Sequence, residues 1–195
     1  MTVLEDRIAM AESDDTRWLD DMFERLEKMP VPEGFKVEIV EGTVYMSPQR
    51  NAHWQFIRML LWALEDRFGR RAQVLSGVRI DFPGHRNGLA PDVAKLRDDA
   101  APDAKGRWSP EDVEFVAEVI SKDTARNDYG PKKTAYALAE VPVCLIVDPY
   151  LGKCRLFTQP KDGDYLTDTA VTFGGEVDMT TSLGLTLKTD DFLRD

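Results

Sequence analysis

Little in this chain suits thiol or imidazole chemistry. Its 195 residues include two cysteines, Cys144 and Cys154, and two histidines, His53 and His85. Two cysteines are too few for a disulfide framework, and neither they nor the histidines have zinc-type spacing. The cysteines flank an expected hairpin, where free core thiols are the expected state. No apolar run approaches the roughly 20 residues of a membrane-spanning helix. The N-terminal residues are acidic rather than basic and then apolar, which is not the pattern of a secretory leader, so the expected compartment is the cytoplasm. Internal repeats and low-complexity tracts are missing too. Basic residues are outnumbered, 25 Lys and Arg against 35 Asp and Glu, for a net charge of −10. That balance argues against a passive nucleic-acid binder, which needs basic surface to neutralise phosphates. The excess is uneven: residues 1–33 hold ten acids and four bases. The remainder is close to balance, so a polyanionic substrate is not excluded.

The length fits one domain with a real core. Residues 1–13 carry little order signal and are expected to form a tail or arm. Asp14 or Asp15 can cap a helix to about Lys28, with Trp18, Leu19, Met22, Phe23, Leu26 and Met29 on one stripe. Phe35–Val40 and Thr43–Met46 alternate across Glu41-Gly42 as a β-hairpin. A long helix over Asn51–Phe68, stopped by Gly69, carries Trp54, Ile57, Leu61, Leu64 and Phe68 at helical spacing. One or two strands are expected in Ala72–Phe82, and Pro83–Ala90 reads as a loop. Strands follow at Asp92–Leu96 and Val113–Ile120, then a helix from Pro131 to about Glu140. A second hairpin pairs Val143–Val147 with Lys153–Phe157, and weaker strands lie near Ala170–Phe173 and Leu183–Leu187. This order predicts an α/β fold, one domain with a central mixed sheet flanked by helices. An N-terminal helical extension over residues 1–33 precedes a domain over 34–195.

Glu118 is the anomaly, an acid in a strand otherwise as apolar as Val113–Ile120. A buried carboxylate is costly unless paired, hydrogen-bonded or bound to a metal. If the strand beginning at Asp92 is its neighbour, Asp92 and Glu118 meet and form an oxygen-rich site fit for Mg²⁺. Taken alone, Asp92 reads as a turn cap after Pro91 and Glu118 as an acid at a strand end. Lys132 lies on the packing stripe of the following helix and Lys133 on its solvent side. Loop residues His85, Arg86 and Asn87 are substrate-contact candidates, although an ordinary surface turn explains them better.

Several blocks occur in order: Glu38-Ile39-Val40-Glu41-Gly42, Ser47-Pro48, Pro91-Asp92, Glu118-Val119-Ile120-Ser121, Asp128…Lys132…Tyr136-Ala137 and Val141-Pro142…Ile146-Val147-Asp148-Pro149. This set resembles the Uma-type restriction-endonuclease family of the PD-(D/E)XK nuclease superfamily, from about residue 35 to the C-terminus. The resemblance implies a restriction-endonuclease-like fold with a divalent-metal site. Asp92 and Glu118 match the metal-binding carboxylates, Glu38 a third site carboxylate, and Lys132 a lysine moved from the strand to the next helix. The superfamily's usual lysine, two residues after the acid, is replaced by Ile120; Lys122, on the same strand face as Glu118 if the strand runs that far, is the rival to Lys132.

These residues suit Mg²⁺- or Mn²⁺-dependent hydrolysis of DNA phosphodiesters, with the metal as Lewis acid and the lysine beside the attacking water. The alternative is a nuclease-fold module that binds DNA or a protein partner without cutting; a third reading has the acids in ordinary salt bridges. Enzymes that cut both strands often act as two-fold dimers, and the Trp18/Met22/Phe23 face is a candidate homodimer surface. Packing on its own sheet explains that face more simply. No membrane association is expected.

Overall fold

The computed structural model describes residues 3–30, 34–48, 50–121 and 125–194, with backbone alone over 3–13. Helix α1 (Val3–Glu27) begins well before the expected cap at Asp14. Residues 4–12 contain good helix formers and neither Pro nor Gly, so nothing in the chain stops the helix there. Its side chains Leu19 and Leu26 are buried against Ile39, with Trp18, Met22, Phe23, Val37 and Val44 around them. The stripe thus packs on the molecule's own hairpin. Met29, the last expected member, is exposed.

That hairpin joins β1 (Phe35–Val40) to β2 (Thr43–Pro48). Glu41 and Gly42 both have positive φ, 49° and 75°, as a two-residue type I′ turn requires. Next comes α2 (Asn51–Phe68), followed by Gly69 with φ 84°. Its buried face is Phe56, Ile57, Leu60 and Leu64, each contributing about 2 kcal/mol of apolar burial. The expected stripe was rotated: Trp54 is 45% exposed and Leu60 replaces Leu61. So many residues between 54 and 64 are apolar that periodicity alone does not choose the face.

The expected region 72–82 gives two short strands, β3 (Val74–Leu75) and β4 (Ile80–Phe82). The supposed loop after them holds a third, β5 (Asn87–Leu89), paired with both β4 and β1. Gly88 disguised it, because a glycine weakens any strand pattern. Here the glycine makes room for α1: a Cβ at Gly88 would lie 2.5 Å from Phe23 Cε2. Asn87 is buried, accepting the Glu41 amide (2.9 Å) and donating to Pro83 O (2.9 Å). Arg86 pairs with Asp15 and stacks over Trp18. These contacts make Arg86 and Asn87 structural members of the hairpin–helix junction.

Strands β6 (Val93–Leu96), β7 (Val113–Val119), β8 (Val143–Asp148), β9 (Lys153–Lys161) and β10 (Asp164–Thr172) complete a mixed sheet with β3, in the order β10-β9-β8-β7-β6-β3. Only β7–β8 is parallel among its pairs of described residues. β10 is longer than the expected 170–173 because its outward residues are polar, which hides the strand pattern. β1, β2, β4 and β5 form a second sheet in the order β2-β1-β5-β4. β11 (Glu176–Met179) and β12 (Leu185–Lys188), linked through the short helix α5 (Thr180–Leu183), form a small third one. Alternation along β7 divides two cores. Phe115, Ala117 and Val119 face α2 and the β11–β12 hairpin. Val113 and Val116 face the second sheet and the helix that follows β7. Cys154 lies in the first core and Cys144 in the second, both as free buried thiols on opposite faces of the sheet.

The β7–β8 crossover departs from the expected helix start at Pro131. It begins as α3 (Ala125–Asn127), widens into a π-type turn over Asp128–Lys132, and continues as α4 (Lys133–Leu138). Pro131 supplies no amide to the ladder and Gly130 leaves helical geometry (φ −114°, ψ −108°), so the turn loosens there. This turn aims Asp128 and Lys132 at the sheet.

Candidate active site

Antiparallel pairing of β6 with β7 sets Val93 opposite Ala117. One residue further along, Asp92 and Glu118 stand side by side on the face shared with Val116. The two strands are neighbours as the sequence suggested. Asp92 Oδ2 accepts the Val119 amide at 2.8 Å, which locks the carboxylate to the neighbouring strand. Period-two alternation in β1 points Lys36 and Glu38 to the same place, while Val37 and Ile39 point to α1. The Ala90 amide donates to Glu38 Oε1 at 2.9 Å.

Two ammonium groups fill the space among these acids. Lys36 Nζ lies 2.8 Å from Asp92 Oδ1, 3.4 Å from Glu38 Oε2 and 3.7 Å from Glu118 Oε2. Lys132 Nζ lies 2.8 Å from Glu118 Oε1, 2.9 Å from Asp128 Oδ1 and 3.1 Å from Glu38 Oε1. The Tyr136 hydroxyl donates to Glu118 Oε1. On the other side, His53 of α2 brings Nε2 within 3.1 Å of Asp92 Oδ2. Asp92 and Glu118 are each 1% exposed.

So many buried charges must balance, because uncompensated charge is expensive in an apolar interior. Burial alone would raise Asp92; Lys36 and the hydrogen bond from His53 overcome it and hold the carboxyl well below its usual range. Glu38 is likewise held low, its burial outweighed by Lys132, Lys36 and the Ala90 amide. Glu118 goes the other way: burial pushes it up to about 8 despite Lys132 and Lys36. Burial raises Asp128 as well. Lys132 stays charged, since Asp128, Glu118 and Glu38 outweigh its burial. Lys36 and Lys132 then face the ionised carboxylates of Asp92 and Glu38, while Glu118, raised to about 8, keeps its proton at pH 7.

The structure therefore brings together Glu38, Asp92, Glu118 and Lys132, all four candidates. Lys132 is 2% exposed and turned inward, whereas Lys133 pairs with Asp164 outside. Lys122 lies outside the described residues. Four neighbours were given no site role by the sequence: Lys36, His53, and Asp128 and Tyr136, which stand in the motif block around Lys132. Lys36 had a signal, standing two residues before Glu38 on an alternating strand. Asp128 and Tyr136 are four residues either side of Lys132 and share its face. His53 had none, since its partner Asp92 comes from a distant element. Asp148 serves a turn instead, accepting the Leu151 amide and the Tyr129 hydroxyl.

Among the described residues no three carboxylate, imidazole or thiolate groups form a ready-made metal cage. The ammonium groups lie between them. The donors are nonetheless hard carboxylate oxygens already surrounding positive charge, the type Mg²⁺ and Mn²⁺ prefer.

A family model described as "Putative restriction endonuclease" (Uma2) matches residues 21–190. No curated protein matches the sequence. Among solved structures, the chain is similar to one described as "a putative nuclease belonging to DUF820" from Anabaena variabilis ATCC 29413. The TM-score is 0.63 at 14% identity, covering 89% of this chain and 96% of that one. At such identity the likeness carries the fold alone.

Proposed function

We propose that this chain, which belongs to the Uma2 family, is a divalent-metal-dependent endonuclease that hydrolyses DNA phosphodiester bonds. The observation behind this reading is the convergence of Glu38, Asp92, Glu118 and Lys132 from four elements on one buried point. Restriction-endonuclease-like enzymes generally use divalent metals, and Asp92, Glu118 and Glu38 are the residues that would hold one here. Such an ion, Mg²⁺ or Mn²⁺, supplies Lewis acidity toward a phosphate oxygen and toward water.

The chain's own groups supply the rest. Lys132 keeps its proton on Nζ and sets a positive charge where negative charge develops on the phosphate. Glu38, Glu118 and Asp128 fix that ammonium in place, so little reorganisation is needed on reaction. The Val119 and Ala90 amides hold Asp92 and Glu38 in one orientation each. Tyr136, itself fully buried, orients Glu118.

A second reading, a module that binds DNA or a protein without cutting it, draws on Ile120. That residue takes the place of the superfamily's usual lysine two positions after the acid. Incubation of supercoiled plasmid with Mg²⁺, Mn²⁺ or EDTA separates the two. Metal-dependent nicking that vanishes in Glu118→Gln is the expected result. Absence of cleavage with either metal would overturn the nuclease reading in favour of the binding module.

A further inference from the structure

The geometry points to Lys36 as a tethered counter-ion: its ammonium holds the place among Asp92, Glu38 and Glu118 intended for a divalent cation, which enters by displacing it. The inference rests on reading those three carboxylates as metal ligands, and it assigns a role to a lysine outside the family pattern.

Three observations select Lys36 over Lys132. First, Lys36 lines the cavity bounded by Glu38, His53, Asp92, Glu118 and Asp128, and Lys132 does not. That cavity is about 20 Å³, room for one water-sized particle, so an ion with its own waters does not fit beside the ammonium. Second, Lys36 has one short contact and two long ones, 2.8, 3.4 and 3.7 Å. All the corresponding separations of Lys132 are between 2.8 and 3.1 Å. Third, the Lys36 side chain retains 9% exposure against 2% for Lys132. A lysine is a point charge on a flexible four-carbon stem and can swing its ammonium to solvent while its backbone stays in β1. Lys132, by contrast, is held by three close acidic partners and is, with Asp128, one of the two buried members of its turn.

An ammonium in this position does two things. It offsets the negative charge of Asp92 and Glu38 in the metal-free cluster, so these carboxylates do not repel one another apart. It also sets a threshold, because an arriving ion must outcompete an internal cation already in contact with all three acids. Metal affinity in this chain is therefore lower than its three carboxylates alone would give.

Calorimetric titration of MnCl₂ into the parent protein, Lys36→Met and Lys36→Met/Glu118→Gln tests this directly. Lys36→Met is expected to bind Mn²⁺ at least about tenfold more tightly than the parent, an effect of about 1.4 kcal/mol. The double variant should lose that gain. Equal or weaker binding in Lys36→Met, with the parent binding normally, overturns the counter-ion role and leaves the nuclease reading standing. Binding by neither protein overturns both. The parent alone gives a second measurement that needs no folded variant. Lysine acylation, read by mass spectrometry, should rise several-fold at Lys36 on saturation with Mn²⁺ while Lys132 stays protected. Unchanged labelling of Lys36 under conditions where Mn²⁺ binds would also overturn the proposal.

Discussion

Lys132 Nζ stands 2.8 Å from Glu118 Oε1, although the lysine belongs to a π-type turn and the acid to a central strand. The pair is almost fully out of water, and the same ammonium reaches Glu38 and Asp128. One cation thus ties β7, β1 and the crossover helix together. Removing it leaves several acids facing one another in an apolar setting.

Replacing Lys132 by Met should therefore cost about 3–5 kcal/mol, the usual penalty for breaking a buried pair from one side. Lys133→Met should cost no more than about 1 kcal/mol, because its partner Asp164 is mostly exposed. Urea unfolding of the two neighbouring variants checks the contrast. Equal losses would mean that the inward aim of Lys132 is wrong.

Asp92→Asn and Glu118→Gln should both reduce metal-dependent plasmid cleavage by about 100-fold or more. Their stabilities should differ. Asp92 is ionised and is the shortest partner of Lys36, so the Asn variant should lose about 3 kcal/mol and melt about 10 °C lower. Glu118 is already largely neutral at pH 7, and Gln should be tolerated without comparable loss. Differential scanning calorimetry at pH 7 with EDTA distinguishes them.

The pH dependence of Glu118→Gln follows from the raised carboxyl. Folded Glu118 keeps its proton up to about 8, against an ordinary value of 4.5. Stability contributed by that proton is complete below about pH 4.5 and is lost as pH rises toward 8. Gln has no such proton to lose. The melting temperature of the variant relative to the parent should climb between pH 5 and pH 9 in EDTA; a flat difference would contradict the assignment.

Neither cysteine should react with a thiol reagent at pH 8 until the protein unfolds. Both are 0% exposed, and burial pushes the Cys154 thiol up to about 12. Labelling of one equivalent in the native protein would show that a core face is open.

Asn87→Ala should destabilise the protein by about 1–3 kcal/mol, since it leaves the Glu41 amide and Pro83 carbonyl without their partner. Per folded molecule, plasmid cleavage should be unchanged. A selective loss of cleavage with normal stability would restore the loop as a substrate contact.

Local physics fixed much of this molecule in advance. The Glu41-Gly42 turn, the Gly69 stop of α2 and the strand character of β6 and β7 follow from turn chemistry, capping and alternation, each decided within a few residues. An acid in the apolar run of β7 already announced a site, because burying it unaided is too costly. The resemblance in motif order supplied Glu38 and Lys132. Tertiary structure alone decided what compensates the acid. Lys36 meets Asp92 from 56 residues away, and Lys132 meets Glu38 across 94. Such pairings leave no periodic trace, since an ion pair across elements is set by how the sheets pack. The same holds for β5, whose glycine is explained only by α1 lying on it, and for α2, whose nearly all-round apolar surface lets packing choose the buried face.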